Sequence, residues 1–334
     1  EKYLLDTWPT NKGYLNFSGT QQGEDPDNGF ADGLGTYIKV QDMAGIGNPS
    51  LSKDSTARAI LDPGLSSLSI EFQVYLPKES NENQIICQKI DSQTKSFGYS
   101  VMLKAATAAK KPKLIFSVHS GSTLLKGDMP IKRGKFQHVC LVFDRKRTNY
   151  NDRIWLYKDS ELVMTSSNYA AIGHLGHNFK ASNFYIGSGS SVMKTSPAEG
   201  PATYFTPTQT FSGSLDEFRV FHRIRSIDDQ RAYGKRSIYQ NDDLMLYMRF
   251  NEPSGTISND NAIVLDYSGN ALHSKITNFS QALRTTGSIS NPMTAENKHL
   301  SPVLFPANLD VRKKNRKLLV TASAYDRVNP NLIT

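Results

Sequence analysis

Apolar and polar side chains alternate along segment after segment of this chain, and that period of two constrains its fold more than any other feature. Ile70, Phe72 and Val74 face one way while Glu71, Gln73 and Tyr75 face the other. Leu114, Phe116 and Val118 repeat the pattern, as do Val139, Leu141 and Phe143. Ile154 and Leu156 alternate with Trp155 and Tyr157, and residues 184–186, 215–220 and 244–250 follow suit. Successive side chains on a strand point to opposite faces, so one apolar face per segment is what half-buried antiparallel strands require. Turn clusters separate the runs: Asp62-Pro63-Gly64, Ser120-Gly121-Ser122, Lys132-Arg133-Gly134 and Gly187-Ser188-Gly189. Helical signal is scarce before residue 225. There Ser226, followed by Asp228 and Asp229, predicts one short helix reaching about Arg236, because a serine cap and first-turn acids satisfy and complement the free helix N-terminus. The expected fold is all-β: an antiparallel two-sheet jelly-roll sandwich with a short helix and a C-terminal arm, and with Phe72, Phe116, Leu141 and Leu156 inside.

Composition narrows the class. With 38% hydrophobic and 21% charged residues in 334, the chain fits a globular protein and not a disordered one. Dense apolar stretches such as Val139–Phe143 are five residues long, against the ~20 that a membrane-spanning helix needs. The chain begins with Glu1 and has no basic-then-apolar leader, as expected of a processed product or a fragment. Two cysteines, Cys87 and Cys140, lie in apolar strand-like runs; they read as buried thiols and not as a disulfide framework. His174 and His177 are the only close histidine pair, and no acid or cysteine stands at metal spacing beside them.

The net charge of +8 is concentrated near one end. Arg312, Lys313, Lys314, Arg316 and Lys317 supply five positive charges within seven residues. A contact to an acidic neighbouring subunit, or a solvated helix face, fits this run better than nucleic acid, because no aromatics are interleaved for base stacking. The organisation expected is an N-terminal extension over 1–29, a sandwich over 30–250, a return segment or the start of a further β domain over 251–283, and a turn-rich arm with a basic helical segment over 284–334. Residues 190–210, rich in Pro, Ser and Thr, read as a long loop. The arm has too little alternation to bury a core of its own, so it is expected to order only against a partner.

The strand sequence resembles a known family. Gly35–Val40, Leu68–Leu76, Phe97–Val101, Lys113–Val118, Gly134–Phe143, Ile154–Val163, Phe184–Ser188 and Phe211–Phe221 follow in the order and with the content of the laminin-G-like branch of the concanavalin A-like lectin/glucanase fold. The most specific part is Ser212-Gly213-Ser214-Leu215-Asp216-Glu217, which leads into alternating apolar residues and a short helix. Two departures stand out. Phe136 occupies a usual tryptophan position, and Ser160 follows Asp159 where the family's hairpin has glycine, which predicts a longer loop there because a two-residue turn needs positive φ. The words from Ala324 to Thr334 resemble a linking phrase of bacteriophage virion structural proteins.

That fold carries both glycosidases and binders, so chemistry must come from the residues. Glycoside hydrolysis needs two carboxyl groups flanking one bond. The enzymes of the fold that this chain resembles place them on alternate strand positions in a Glu-x-Asp-x-x-Glu pattern, which is missing here. Asp216 and Glu217 are adjacent, and strand alternation predicts that they point to opposite faces. No Gly-x-Ser-x-Gly elbow or phosphate loop is present either. The resemblance also implies a calcium ion, since relatives hold one near the last strand and the N-terminal loop. By it Asp216, Asp27 and Asp32 are candidate ligands, with ordinary turn acids as the plain alternative. Three functions follow: a non-catalytic structural or adhesive protein of a phage tail or baseplate, located in the virion and contacting glycans or neighbouring subunits; a bacterial cell-surface glycan-binding protein; or, against the carboxylate argument, a glycoside hydrolase.

Overall fold

The computed structural model describes residues 13–19, 35–42, 59–78, 82–91, 95–105, 111–147, 152–166, 172–175, 182–196, 200–234, 237–252 and 261–285. Two antiparallel sheets face each other. The first runs in the order β10 (Glu161–Thr165), β9 (Ile154–Lys158), β8 (Phe136–Phe143), β3 (Leu68–Tyr75), β14 (Gly213–Phe221), β1 (Tyr14–Phe17) and β18 (Arg284–Thr285). A further strand, β15 (Leu244–Met248), shares one edge of β14 with β1: β1 covers Gly213–Leu215 and β15 covers Phe218–Phe221. The second sheet runs β16 (Ile263–Val264), β17 (Ser274–Thr277), β2 (Tyr37–Val40), β11 (Phe184–Ile186), β4 (Gln84–Ile90), β5 (Phe97–Lys104), β6 (Lys113–Ser120) and β7 (Thr123–Pro130). Segments remote in sequence thus close the sandwich, β18 in the first sheet and β16 and β17 in the second.

The alternating apolar faces meet between the sheets. Ile70, Phe72 and Val74 of β3, Val139, Leu141 and Phe143 of β8, and Ile154 and Leu156 of β9 form one core with Val101, Phe116, Val118 and Phe184 of the second sheet. Phe72, Phe116, Leu141 and Leu156 are fully buried, as their periodicity predicts. Each such side chain contributes about 1.5–3 kcal/mol by leaving water. Aromatic rings couple the two layers. Phe218 stacks on Phe72 at a centroid distance of 5.6 Å and leans on Phe184 of the opposite sheet at 6.1 Å.

Two expectations are corrected. Residues 190–210 are not simply a loop: β12 (Val192–Ser196) and β13 (Gly200–Phe205) form a hairpin. Val192 and Phe205 give it an apolar foothold, packing on Ile85, Met102 and Ile115 on the outer side of the second sheet. The turn between β9 and β10 is also not lengthened. Asp159 (φ 53°) and Ser160 (φ 62°) make a two-residue turn that returns Glu161 opposite Lys158. Aspartate tolerates the left-handed region, and here it is pinned to β8: Asp159 N donates to His138 O at 2.8 Å, while Asp159 Oδ1 accepts from His138 N at 3.1 Å.

The helix forms where its capping residues predict. Ser226 Oγ accepts the amide of Asp229 at 3.1 Å and starts α1 (Ile227–Tyr233). The helix lies outside the sandwich, on the far face of the first sheet from the core; Ile224 and Ile227 there pack on Cys140, Val142 and Tyr157. Both cysteines are free and buried. Among the described residues no helix is long and apolar enough to cross a membrane.

Candidate functional site

The outer face of the first sheet carries a cluster of buried, paired charges, and a β-bulge brings its two adjacent acids together. In the β3–β14 pairing Asp216 stands opposite Gln73, but Arg219 stands opposite Glu71, so Glu217 and Phe218 together oppose one residue. Glu217 takes φ 51°, the left-handed conformation of a G1-type bulge, with glutamate where glycine is usual. Leu215, Phe218 and Val220 all remain in the core. Asp216 and Glu217 therefore fall on the same outer face with Arg219, and the expectation that the two acids point to opposite faces is corrected. The extra residue absorbs the alternation that would have separated them.

Around these acids lies a lattice of buried charges. Glu71 accepts from His138 Nε2 at 2.9 Å, from Arg219 Nη1 at 3.2 Å and from Arg225 Nε at 2.8 Å. Glu217 accepts from Arg219 Nη2 and from the Tyr247 hydroxyl, and its Oε1 lies 3.8 Å from Arg249 Nε. Arg219 Nη1 also donates to Tyr233 O at 2.9 Å, fastening the last turn of α1 to the sheet. Arg225 lies over the Phe221 ring at 4.6 Å, and Arg219 over the Tyr247 ring at 5.0 Å.

These partners decide the ionisation. Burial by itself would raise the Glu71 carboxyl, yet the charge of Arg219, the His138 hydrogen bond and the charge of Arg225 outweigh it and hold the group well below the usual carboxylate range. Asp216 goes the other way. Burial and then the neighbouring Glu217 carboxylate push it well above its ordinary value, against the Glu217 amide and two arginines. Its Oδ1 accepts that amide at 2.9 Å, while Oδ2 has no hydrogen-bond partner among the described residues.

Sequence reasoning singled out Asp216 but not Glu71, His138, Arg219, Arg225, Tyr247 or Arg249. Glu71 carried the one available signal, a charged residue in the middle of a strongly apolar strand. Asp27 and Asp32, the other candidate calcium ligands, lie outside the described residues, as do Arg312, Lys313, Lys314, Arg316 and Lys317. Among the described residues no group of three or more His, Cys, Asp or Glu is gathered so as to hold a metal ion. A calcium ion takes 6–8 oxygens, whereas two guanidinium groups already bear on Asp216.

Beside the lattice a cleft of about 440 Å³ opens between the β9–β10 turn and α1. His138, Asp159, Ser160, Glu161, Gln230 and Arg231 line it. Gly234 lines it too, and a Cβ there would meet Gln230 O at 2.5 Å and the His138 ring at 2.8 Å, so the helix can end this close to the sheet only with glycine. His138 and Gln230 are both nearly inaccessible, at 2% and 1% exposure. His138 Nδ1 and Gln230 Oε1 have no hydrogen-bond partner among the described residues.

Residues 52–229, which hold β3 to β14 with the closing Asp-Glu strand and the start of α1, match the family model Laminin_G_3, described as the concanavalin A-like lectin/glucanases superfamily. The chain belongs to this superfamily. No curated protein sequence matches this concanavalin A-like chain. Among solved structures it is similar to a protein from Bacteroides ovatus ATCC 8483 whose proposed role is carbohydrate binding, at 15% identity and a TM-score of 0.49; the match covers 86% of this chain and 62% of that one, so it spans about three fifths of that protein. It is also similar to the heptameric SAP-like pentraxin of Limulus polyphemus, at 13% identity, a TM-score of 0.39 and coverage of 66% and 81%. A third similar structure is the CBM40 of the Ruminococcus gnavus IT-sialidase bound to α2,3 sialyllactose, at 12% identity, a TM-score of 0.35 and coverage of 64% and 97%.

Proposed function

We propose that this chain is a non-catalytic structural or adhesive component of a bacteriophage particle, of its tail or baseplate, whose concanavalin A-like sandwich engages glycans or neighbouring subunits. The observation that carries the reading is the closure of the carboxylate pair on the last strand of the family motif. Asp216 and Glu217 are 0% and 1% exposed, and Arg219 and Arg249 bear on them from within the fold. A glycosidase needs one carboxyl group to protonate the leaving oxygen and a second to attack or to activate water, both in reach of sugar. This pair touches protein on every described side. The lectin-type use of the fold fits such a closed pair, and the phrase from Ala324 to Thr334 supports the virion setting.

In this reading Arg312, Lys313, Lys314, Arg316 and Lys317 contact acidic groups of neighbouring subunits. A calcium ion held by Asp216 with Asp27 and Asp32 would have to compete with Arg219 and Arg249; a melting temperature raised by calcium and not by magnesium identifies it. The whole reading is tested by probing an array of bacterial surface polysaccharides with the full chain and by labelling phage particles with an antibody raised against it. Retention on glycans together with decoration of particles supports it. Retention without any decorated particle would instead make this a cell-surface glycan-binding protein.

A further inference from the structure

We infer that the cleft between the β9–β10 turn and α1 binds the hydroxyl groups of a neutral saccharide, with Gln230 Oε1 as a buried acceptor, His138 Nδ1 beside it, and Asp159, Ser160 and Glu161 at its mouth. The inference rests on the reading that this sandwich engages glycans, and it adds where and by what chemistry.

Buried polar atoms in folded proteins are almost always paired, so two unpaired ones on the wall of a single cleft point to a ligand that completes them. Their other bonds orient both groups. Glu71 is an ionised carboxylate that only accepts, so His138 Nε2, at 2.9 Å from it, carries the hydrogen. That leaves Nδ1 on the cleft side of the ring as a second polar atom for a hydroxyl, which can both donate and accept. Gln230 Nε2 donates to Arg225 O at 3.2 Å, which orients the amide and leaves Oε1 as an acceptor. Two carboxylates, Asp159 and Glu161, add acceptors at the rim.

A set this rich in acceptors calls for a ligand rich in donors, and it disfavours phosphate or carboxylate ligands, which bring acceptors of their own. Sugar hydroxyls donate to these atoms and can also accept from Arg231 and Ser160. The volume suits a mono- or disaccharide. The mouth is also stiff. Asp159 and Ser160 hold left-handed conformations locked by the reciprocal bonds between Asp159 and His138, so little ordering is left for binding to impose.

The test is an NMR titration of the full chain with the methyl glycosides of glucose, galactose and mannose. At least one should shift the amides of Ser160, Glu161, Gln230 and Arg231 together with the His138 ring. The exposed substitution Glu161→Ala and the buried Gln230→Leu should each weaken that sugar at least tenfold, with the melting temperature of Glu161→Ala unchanged. Binding that moves resonances elsewhere and is indifferent to Glu161→Ala would overturn the cleft assignment while leaving the glycan reading intact. Shifts in the cleft with methylamine or inorganic phosphate and with none of the glycosides would overturn the saccharide class. Binding of no saccharide at any site would remove both.

Discussion

Arg219 Nη1 lies 3.2 Å from Glu71 Oε1, joining residues 148 apart in sequence across the β3–β14 pairing. The same guanidinium reaches Glu217 two residues before it on its own strand. Residues two apart on a regular strand share a face, and the bulge adds Asp216 to that face. One side chain thereby joins both sides of the lattice and, through Tyr233 O, the helix that roofs it.

Removing that cation should be costly. Arg219→Met leaves Glu217 and half of Glu71 buried without their main counter-charge, and breaking a buried pair from one side costs about 3–5 kcal/mol. Urea unfolding at pH 7 measures it. Adding Glu71→Gln should recover part of the loss, giving a coupling of about 1 kcal/mol or more in the double-mutant cycle. A loss under about 0.5 kcal/mol for Arg219→Met would mean that the lattice is not formed as described.

The β9–β10 turn gives a second test. Ser160 sits at φ 62°, where a β-branched side chain is strained and glycine is free. Stability should rank Ser160→Gly, wild type, Ser160→Val, with a total span of about 1–2 kcal/mol. Equal melting temperatures for the three would contradict the two-residue geometry.

Acid should act through His119. The ring is fully buried on β6, 3.0 Å from Ser117 Oγ, and burial pulls its pKa down to about 3. Folded, it stays neutral; unfolded, it takes a proton below its ordinary value of about 6.5. Its contribution to stability is therefore complete above about pH 6.5 and is lost as the pH falls toward 3. Between pH 7 and pH 5 the wild type should lose about 2 kcal/mol more than His119→Gln. Identical losses in the two proteins, by urea unfolding at both pH values, would show that the ring is not buried neutral.

Leu141 tests the core. Leu141→Ala should cost about 2–5 kcal/mol as transfer energy and cavity combine, and Leu141→Asp should abolish cooperative unfolding, because a charge would sit unpaired between the sheets. A wild-type midpoint for Leu141→Asp would show that β8 is assigned to the wrong face.

What the sequence revealed and what it hid divide along locality. Phe72, Phe116, Leu141 and Leu156 were placed inside by alternation alone, since each strand states its own buried face. Ser226 announced α1 in the same local way. The hairpin of residues 192–205 was concealed because Pro201 and its Ser and Thr neighbours read as loop, while its foothold, Val192 and Phe205, consists of only two residues. The bulge at Glu217 was illegible for another reason. Nothing in Leu-Asp-Glu-Phe says that a glutamate will take positive φ, and without that shift the two acids separate. The lattice depends on this shift and on pairings between Glu71 and arginines about 150 residues away, which no local pattern records.

The central claim, binding without turnover, is tested most directly by incubating the full chain with bacterial surface polysaccharides and following retention and new reducing ends in the same samples. The account predicts that the protein is retained on at least one polysaccharide and that reducing ends stay at the level of the protein-free control. Reducing ends that rise with the wild type and fall back with Glu217→Gln, while that variant remains folded, would contradict it.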